Sequence, residues 1–222
     1  MTTVLIIDDQ SLQRFGFRML LESQDDMTVL GEAGNGSEAV RMTAELHPDV
    51  VLMDIRMPGL DGIEATRRIV SSGARTRVLI LTTFDLDEYA YAGLRAGASG
   101  FLIKDAQPEE LLAGIRAVAT GDAVVAPSLT RRLLDAYAEH LPAPDRETAP
   151  GGDPRLLSLT DREREILTVI GQGWTNAEIS ARLHLAESTV KTHVSRILAK
   201  TGSRDRIQAV ILAYDTKLVQ PS

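Results

Sequence analysis

The 222-residue chain contains no cysteine. Disulfide frameworks, zinc ribbons, iron–sulfur ligation and thiol nucleophiles are excluded by that absence alone. No stretch comes near the roughly 18 consecutive apolar residues that a membrane-spanning helix needs. The chain opens directly into Val4-Leu5-Ile6-Ile7-Asp8-Asp9, without the basic flank and small-residue cleavage site of a signal peptide. A cytoplasmic protein with no membrane association is the expectation. Hydrophobic residues make up 44% and charged residues 25%, which excludes disordered and collagen-like classes.

What is present is unevenly distributed. The net charge is −7, yet residues 1–125 hold 11 Lys/Arg against 19 Asp/Glu, whereas residues 154–222 hold 10 against 7. An acidic front and a basic back point to two domains with different partners, one of them a candidate polyanion. Between them, residues 141–154 hold four of the nine prolines and the adjacent Gly151-Gly152. Proline removes backbone donors and glycine raises the entropy lost on ordering, so this stretch reads as a linker. Leu129, Leu133, Leu134 and Tyr137 at helical spacing suggest a connecting helix just before it. The expected division is therefore 1–122, a connecting helix and linker over 123–153, and 154–222.

In the first part, strand-length apolar runs at Val4–Ile7, Met27–Leu30, Val50–Met53, Val78–Leu81 and Phe101–Ile103 alternate with amphipathic stretches. The stretches are Leu12–Leu21, Ser37–Leu46, Gly62–Ser71, Asp87–Ala96 and Pro108–Thr120. Strands apolar on both faces need helices on both sides, so five β–α units predict an α/β fold with a parallel sheet. In such sheets, chemistry lies beyond the carboxyl ends of the strands. There the sequence places Asp8-Asp9 after the first strand, Asp54 after the third, Thr82-Thr83 after the fourth and Lys104 after the fifth. Three converging carboxylates repel one another unless a cation joins them, and an all-oxygen set favours a hard ion such as Mg2+. A carboxylate beside Mg2+ can attack a phosphoryl group, with a Thr hydroxyl and a Lys ammonium binding the oxygens of the acyl phosphate.

Asp8-Asp9, Asp54 in Val-Leu-Met-Asp-Ile-Arg-Met-Pro-Gly-Leu-Asp-Gly, Thr82, and Lys104 in Gly-Phe-Leu-Ile-Lys-Asp resemble the receiver domain of two-component response regulators. The resemblance implies a flavodoxin-like five-stranded parallel domain in which Asp54 accepts a phosphoryl group from a sensor histidine kinase. It implies Mg2+ held by Asp9, Asp54 and the main-chain carbonyl of Arg56, with Asp8 assisting through water. It also implies that Lys104 pairs with the phosphate, that Thr82 moves to bond it, and that Phe101 is the aromatic switch that follows Thr82. Receivers often carry Pro after the lysine, where this chain has Asp105. A rival reading is a Mg2+-dependent phosphohydrolase working through an aspartyl phosphate, but it needs an acid two residues after the nucleophile, where Arg56 stands. A DNA-binding protein with an unphosphorylated receiver is a second alternative, disfavoured by the intact set of Asp8, Asp9, Asp54, Thr82 and Lys104.

The last domain carries two capping boxes, Thr160-Asp-Arg-Glu163 and Thr175-Asn-Ala-Glu178, each the mark of a helix start. A second helix over Asn176–Leu183 is followed by a short connection, and a third from a Ser188 N-cap to about Lys200. A small all-α helix-turn-helix domain is expected. On the third helix, Val190, Val194, Ile197 and Leu198 share an apolar side, while Lys191, Thr192, Ser195 and Ala199 form a slim polar one. A face of that kind fits a major groove. A fourth helix is expected over Arg206–Leu218. Trp174 is read as helix-junction packing, and His193 as touching phosphate or solvent.

Leu159-Thr-Asp-Arg-Glu-Arg-Glu-Ile-Leu167, Gly173-Trp-Thr-Asn-Ala-Glu-Ile179 and Glu187-Ser-Thr-Val-Lys-Thr-His-Val194 are similar to the LuxR-type helix-turn-helix of the NarL/FixJ subfamily. The resemblance implies base contacts from Lys191, Thr192 and Ser195 and phosphate contacts from Ser188, Thr189, Arg196 and Lys200 on double-stranded DNA. It further implies a homodimer when phosphorylated or DNA-bound, and a transcription regulator rather than an enzyme.

Overall fold

The computed structural model describes residues 1–82, 92–121 and 153–219. The chain divides into two compact units, Met1–Val125 and Ala126–Ser222.

The first unit is built on β1 (Thr2–Ile7), β2 (Met27–Ala33), β3 (Val50–Asp54), β4 (Arg77–Thr82) and β5 (Gly100–Ile103). The strands are parallel in the order β2-β1-β3-β4-β5. Between them run α1 (Ser11–Glu22), α2 (Gly36–Leu46), α3 (Gly62–Ser71) and a short helical segment at 92–96, with α4 (Pro108–Thr120) after β5. Val4–Ile7 and Val50–Met53 are wholly buried, as strands covered on both faces must be. One side of the sheet packs Val4, Ile6, Leu52, Leu79 and Leu81 against Phe17 and Leu21 of α1 and Leu111, Ile115 and Val118 of α4.

The strand expected at Met27–Leu30 runs on to Ala33. Its pairing with β1 shifts register between Val4 and Leu5, and the ladder resumes as Leu5↔Gly31, Ile6↔Glu32 and Ile7↔Ala33. The extra residue at this β-bulge is Leu30, and the ladder continues past it through Gly31 to Ala33, beyond the apolar run. Of the helix expected at 87–96, residues up to 91 lie outside the described residues. The connecting helix and the linker up to residue 152 do too.

The second unit contains α5 (Pro154–Leu157), α6 (Asp161–Gly171), α7 (Asn176–Leu183), α8 (Glu187–Thr201) and α9 (Arg206–Asp215). Both capping boxes form: Thr160 and Thr175 accept the amides of Glu163 and Glu178, whose carboxylates reach back to the cap residues. Ser188 does not cap α8. Ala186 occupies that position without a side-chain bond, and the helix begins at Glu187. Helix α7 ends at Leu183 as expected, closed by His184 in the left-handed conformation at φ 51°, and the connection is one residue shorter than expected because α8 starts at Glu187. Helix α9 stops at Asp215, where Thr216 caps it and Lys217 turns to φ 55°. Ile207, Val210, Ile211 and Tyr214 of α9 are buried, and the helix packs on α6 and α8.

Candidate functional site

Two places concentrate unusual polar chemistry, one in each unit. The first lies at the carboxyl edge of the sheet. Asp8, Asp9 and Asp54 each offer an oxygen within 4.8 Å of the others. Asp8 and Asp54 are buried whereas Asp9 faces solvent. Lys104 reaches into this cluster from the end of β5, its Nζ 2.7 Å from Asp8 Oδ2 and 3.0 Å from Asp54 Oδ2. Its main-chain N–H donates to the Thr82 carbonyl at 2.8 Å, which ties the ends of β4 and β5 together. Sequence-distant residues therefore converge because four strand ends share one edge. Thr83 lies outside the described residues.

The electrostatics follow from burial. Desolvation raises the Asp54 carboxyl above its ordinary value. Lys104 and the main chain of Arg56 oppose that rise, and the neighbouring Asp8 charge adds to it. Burial works against the Lys104 ammonium, but its bonds to Asp8 and Asp54 outweigh that cost and leave its pKa raised. The donor set is entirely carboxylate oxygen with a surplus of negative charge after Lys104 is counted. It fits a hard divalent cation.

The loop after β3 frames the cluster. Gly62 starts α3 so close to the end of β3 that a Cβ there would lie 1.9 Å from the Asp54 carbonyl oxygen. The Gly62 amide donates to the Ile55 carbonyl at 2.9 Å, and Gly59 turns the loop at φ +80°. Asp61 caps α3 through the Glu64 amide. Phe101 is fully buried beside Ile80, and a Cβ on Gly93 would come within 2.5 Å of its ring. The peptide after Lys104 is trans.

The second place is the outer face of α8. Val190 and Ile197 are completely buried and Val194 nearly so, while Leu198 is half-buried. Ser188, Lys191, Thr192, Ser195, Arg196, Ala199 and Lys200 are exposed and Thr189 half-exposed. Lys191 lies 3.7 Å from Glu187, with its side chain more than half exposed. Lys200 is differently placed: its Nζ donates to Glu163 Oε2 at 2.6 Å. That carboxylate also accepts from the Thr160 amide and hydroxyl at 2.8 and 3.0 Å. Lys200 and Thr160 hold the Glu163 carboxyl at about 2. Thirty-seven residues separate the two partners, so sequence reading missed this pair; the capping box was its only visible half.

Trp174 sits at the helix junction, as expected. The Arg182 guanidinium lies 4.8 Å from its ring centre, and Arg206 donates to its carbonyl and to Asn176. His193 is half-buried, its Nδ1 enclosed and unpartnered among the described residues. None of the described residues forms a metal-competent group around either His184 or His193.

Both places coincide with regions shared with known proteins. Residues 4–116 match the family model "Response regulator receiver domain", and residues 157–213 match "Bacterial regulatory proteins, luxR family". The transcriptional regulatory protein LiaR of Bacillus subtilis is 40% identical, over 99% of this chain and 100% of its own length. The oxygen regulatory protein NreC of Staphylococcus aureus (strain MRSA252) is 38% identical over 98% and 99%. Among solved structures, the response regulator ChrA of a heme-sensing two-component system is similar at 35% identity and a TM-score of 0.51, covering 98% of both chains. A LuxR-family response regulator from Aurantimonas reaches a TM-score of 0.56 over 60% of this chain and 94% of its own, also at 35% identity.

Proposed function

This chain belongs to the two-component response regulators that join a receiver domain to a LuxR-type DNA-binding domain, and from that membership we propose that phosphorylation of Asp54 controls the DNA binding of α8. The observation that carries the reading is the convergence of Asp8, Asp9, Asp54 and Lys104 within one pocket. The proposed boundaries are 1–122 for the receiver, 123–153 for the connection and 154–222 for the DNA-binding domain. The proposed setting is the cytoplasm; among the described residues no helix is long and apolar enough to cross a membrane.

An Asp54 carboxylate oxygen attacks the phosphorus of a kinase phosphohistidine. The new O–P bond forms as the N–P bond breaks, and the imidazole leaves with a proton. Asp9, Asp54 and the Arg56 carbonyl would hold Mg2+, with Asp8 assisting through water. When bound, that ion neutralises charge on the oxygens of the transferring group. Lys104 is already within 3.0 Å of Asp54, so it can exchange its carboxylate partners for the phosphoryl oxygens with little movement. Thr82 bonds the same group, and Phe101, packed inward, reports the change to the surface around β5. A ligand shifts an equilibrium only between states that it contacts differently, and the Thr82 bond supplies that difference.

At the other end, Lys191, Thr192 and Ser195 face the bases in a major groove, and Ser188, Thr189 and Arg196 face phosphates. Lys200 reaches phosphate only by sharing its ammonium with Glu163. A homodimer forms on phosphorylation or on DNA. The test is intact mass after incubation with Mg2+ and a small phosphodonor. One added phosphoryl group on the wild type and none on Asp54→Asn is expected; no addition to the wild type would overturn the reading.

A further inference from the structure

Asp9 contributes to the acidic pocket, yet among the described residues nothing donates to its carboxylate. Its direction is therefore set by the backbone of the turn between β1 and α1. That backbone is fixed through Asp8, whose N–H, Oδ1 and main-chain carbonyl are all tied down. Its N–H donates to the Ala33 carbonyl at 3.1 Å, and its Oδ1 accepts the Gln10 amide at 2.8 Å. Its main-chain carbonyl accepts from Arg14 Nη1 at 2.6 Å. Arg14 stands one helical turn into α1, and the same guanidinium places Nε 3.1 Å from Glu32 Oε2 on β2. Arg18 binds the other oxygen of Glu32.

The geometry explains why an arginine is needed. A guanidinium presents its donors in a rigid fork, so fixing one arm on Glu32 aims the other. Glu32 lies opposite Ile6 in the β1–β2 ladder, which makes the anchor part of the sheet rather than a mobile surface group. Burial acts to raise the Glu32 carboxyl, but its bonds to Arg18 and Arg14 prevail and hold it below the usual range. The carboxylate therefore stays ionised to orient Arg14.

We propose that Arg14 is a positioning residue for the metal-binding turn: by clamping the Asp8 carbonyl against the Glu32 anchor, it fixes the Asp8–Asp9 peptide and so the direction of the Asp9 carboxylate toward Mg2+. The inference rests on the Mg2+ reading above and adds to it a residue that touches neither metal nor phosphoryl group.

Charge alone predicts the opposite result. Deleting a cation near three carboxylates favours another cation by Coulomb's law, so weaker Mg2+ binding by Arg14→Ala would report lost positioning. The experiment is calorimetric Mg2+ titration of the full chain as wild type, Arg14→Ala, Arg14→Lys and Arg18→Ala, with thermal unfolding recorded for each. Arg14→Ala should raise the Kd about tenfold, the low end of the range for groups that orient metal ligands. Arg14→Lys should fall between it and the wild type, because one ammonium keeps the charge without the fork. Arg18→Ala, which removes a charge from Glu32 but no bond to Asp8, should bind like the wild type. Phosphorylation of Arg14→Ala at saturating Mg2+ should recover the wild-type rate. Unchanged or tighter binding by Arg14→Ala, or equal weakening by Arg18→Ala, would overturn the proposal. If Arg14→Ala does not fold, Arg14→Lys decides, and a wild-type Kd there overturns it. Absence of Mg2+ binding by the wild type would instead overturn the metal reading beneath it.

Discussion

Lys104 and Lys191 carry the same charge in opposite settings. The first is enclosed, its side chain 5% exposed between Asp8 and Asp54; the second is 59% exposed and loosely paired with Glu187. A buried ion pair cannot lose one member cheaply, because the other is left charged without solvent. An exposed pair of the Lys191 kind is worth little and exchanges partners freely. On the proposed reading, the receiver would work through tightly coupled groups whose rearrangement stores a signal, and the helix-turn-helix through loosely held groups that trade solvent for DNA.

The contrast can be broken most directly at its buried end. Lys104→Ala should slow phosphorylation of Asp54 about a hundredfold, the scale for removing one charge-stabilising donor from a reacting centre. Time-resolved intact mass at saturating Mg2+ checks it, and DNA affinity of the unphosphorylated protein should not change. At the exposed end, Lys191→Ala should weaken binding to a duplex selected from a random pool by about 1–3 kcal/mol and relax the sequence preference. Lys200→Ala should do less, because its ammonium is already engaged by Glu163.

Within the helical unit, the buried Glu163 carboxylate is held by Lys200 and by the amide and hydroxyl of Thr160. Its folded value of about 2 lies below the ordinary 4.5. Its contribution is therefore complete above pH 4.5 and lost as pH falls toward 2. The loss should be on the order of 1 kcal/mol, since solvent at the Lys200 head screens the pair. Trp174 is the single tryptophan of the chain, so its fluorescence reports unfolding of this unit. The wild type should lose stability between pH 5 and 3 more steeply than Glu163→Gln.

The same contrast explains what the sequence disclosed. Asp8, Asp9, Asp54, Thr82 and Lys104 were legible because strands buried on both faces leave an unmistakable apolar run, and each residue directly follows one. The two capping boxes were legible because their partners stand three residues apart. The run from Gly31 to Ala33 was not, since a bulge carried the ladder beyond its apolar signal. The start of α8 was misread because Ala186 takes the N-cap position without any side-chain bond and so leaves no signature in the sequence. Arg14 on the Asp8 carbonyl and Lys200 on Glu163 stayed hidden for a common reason: each joins groups whose meeting depends on the tertiary fold, and in the first the acceptor is main chain.

On the proposed reading, a phosphoryl group on Asp54 governs what α8 does. This is tested by the affinity of the full chain for the selected duplex, with and without phosphodonor, for wild type and Asp54→Asn. The donor should change the affinity of the wild type and leave Asp54→Asn where it was. A donor effect equal in both proteins, or absent from a wild type whose mass shows full phosphorylation, would contradict it.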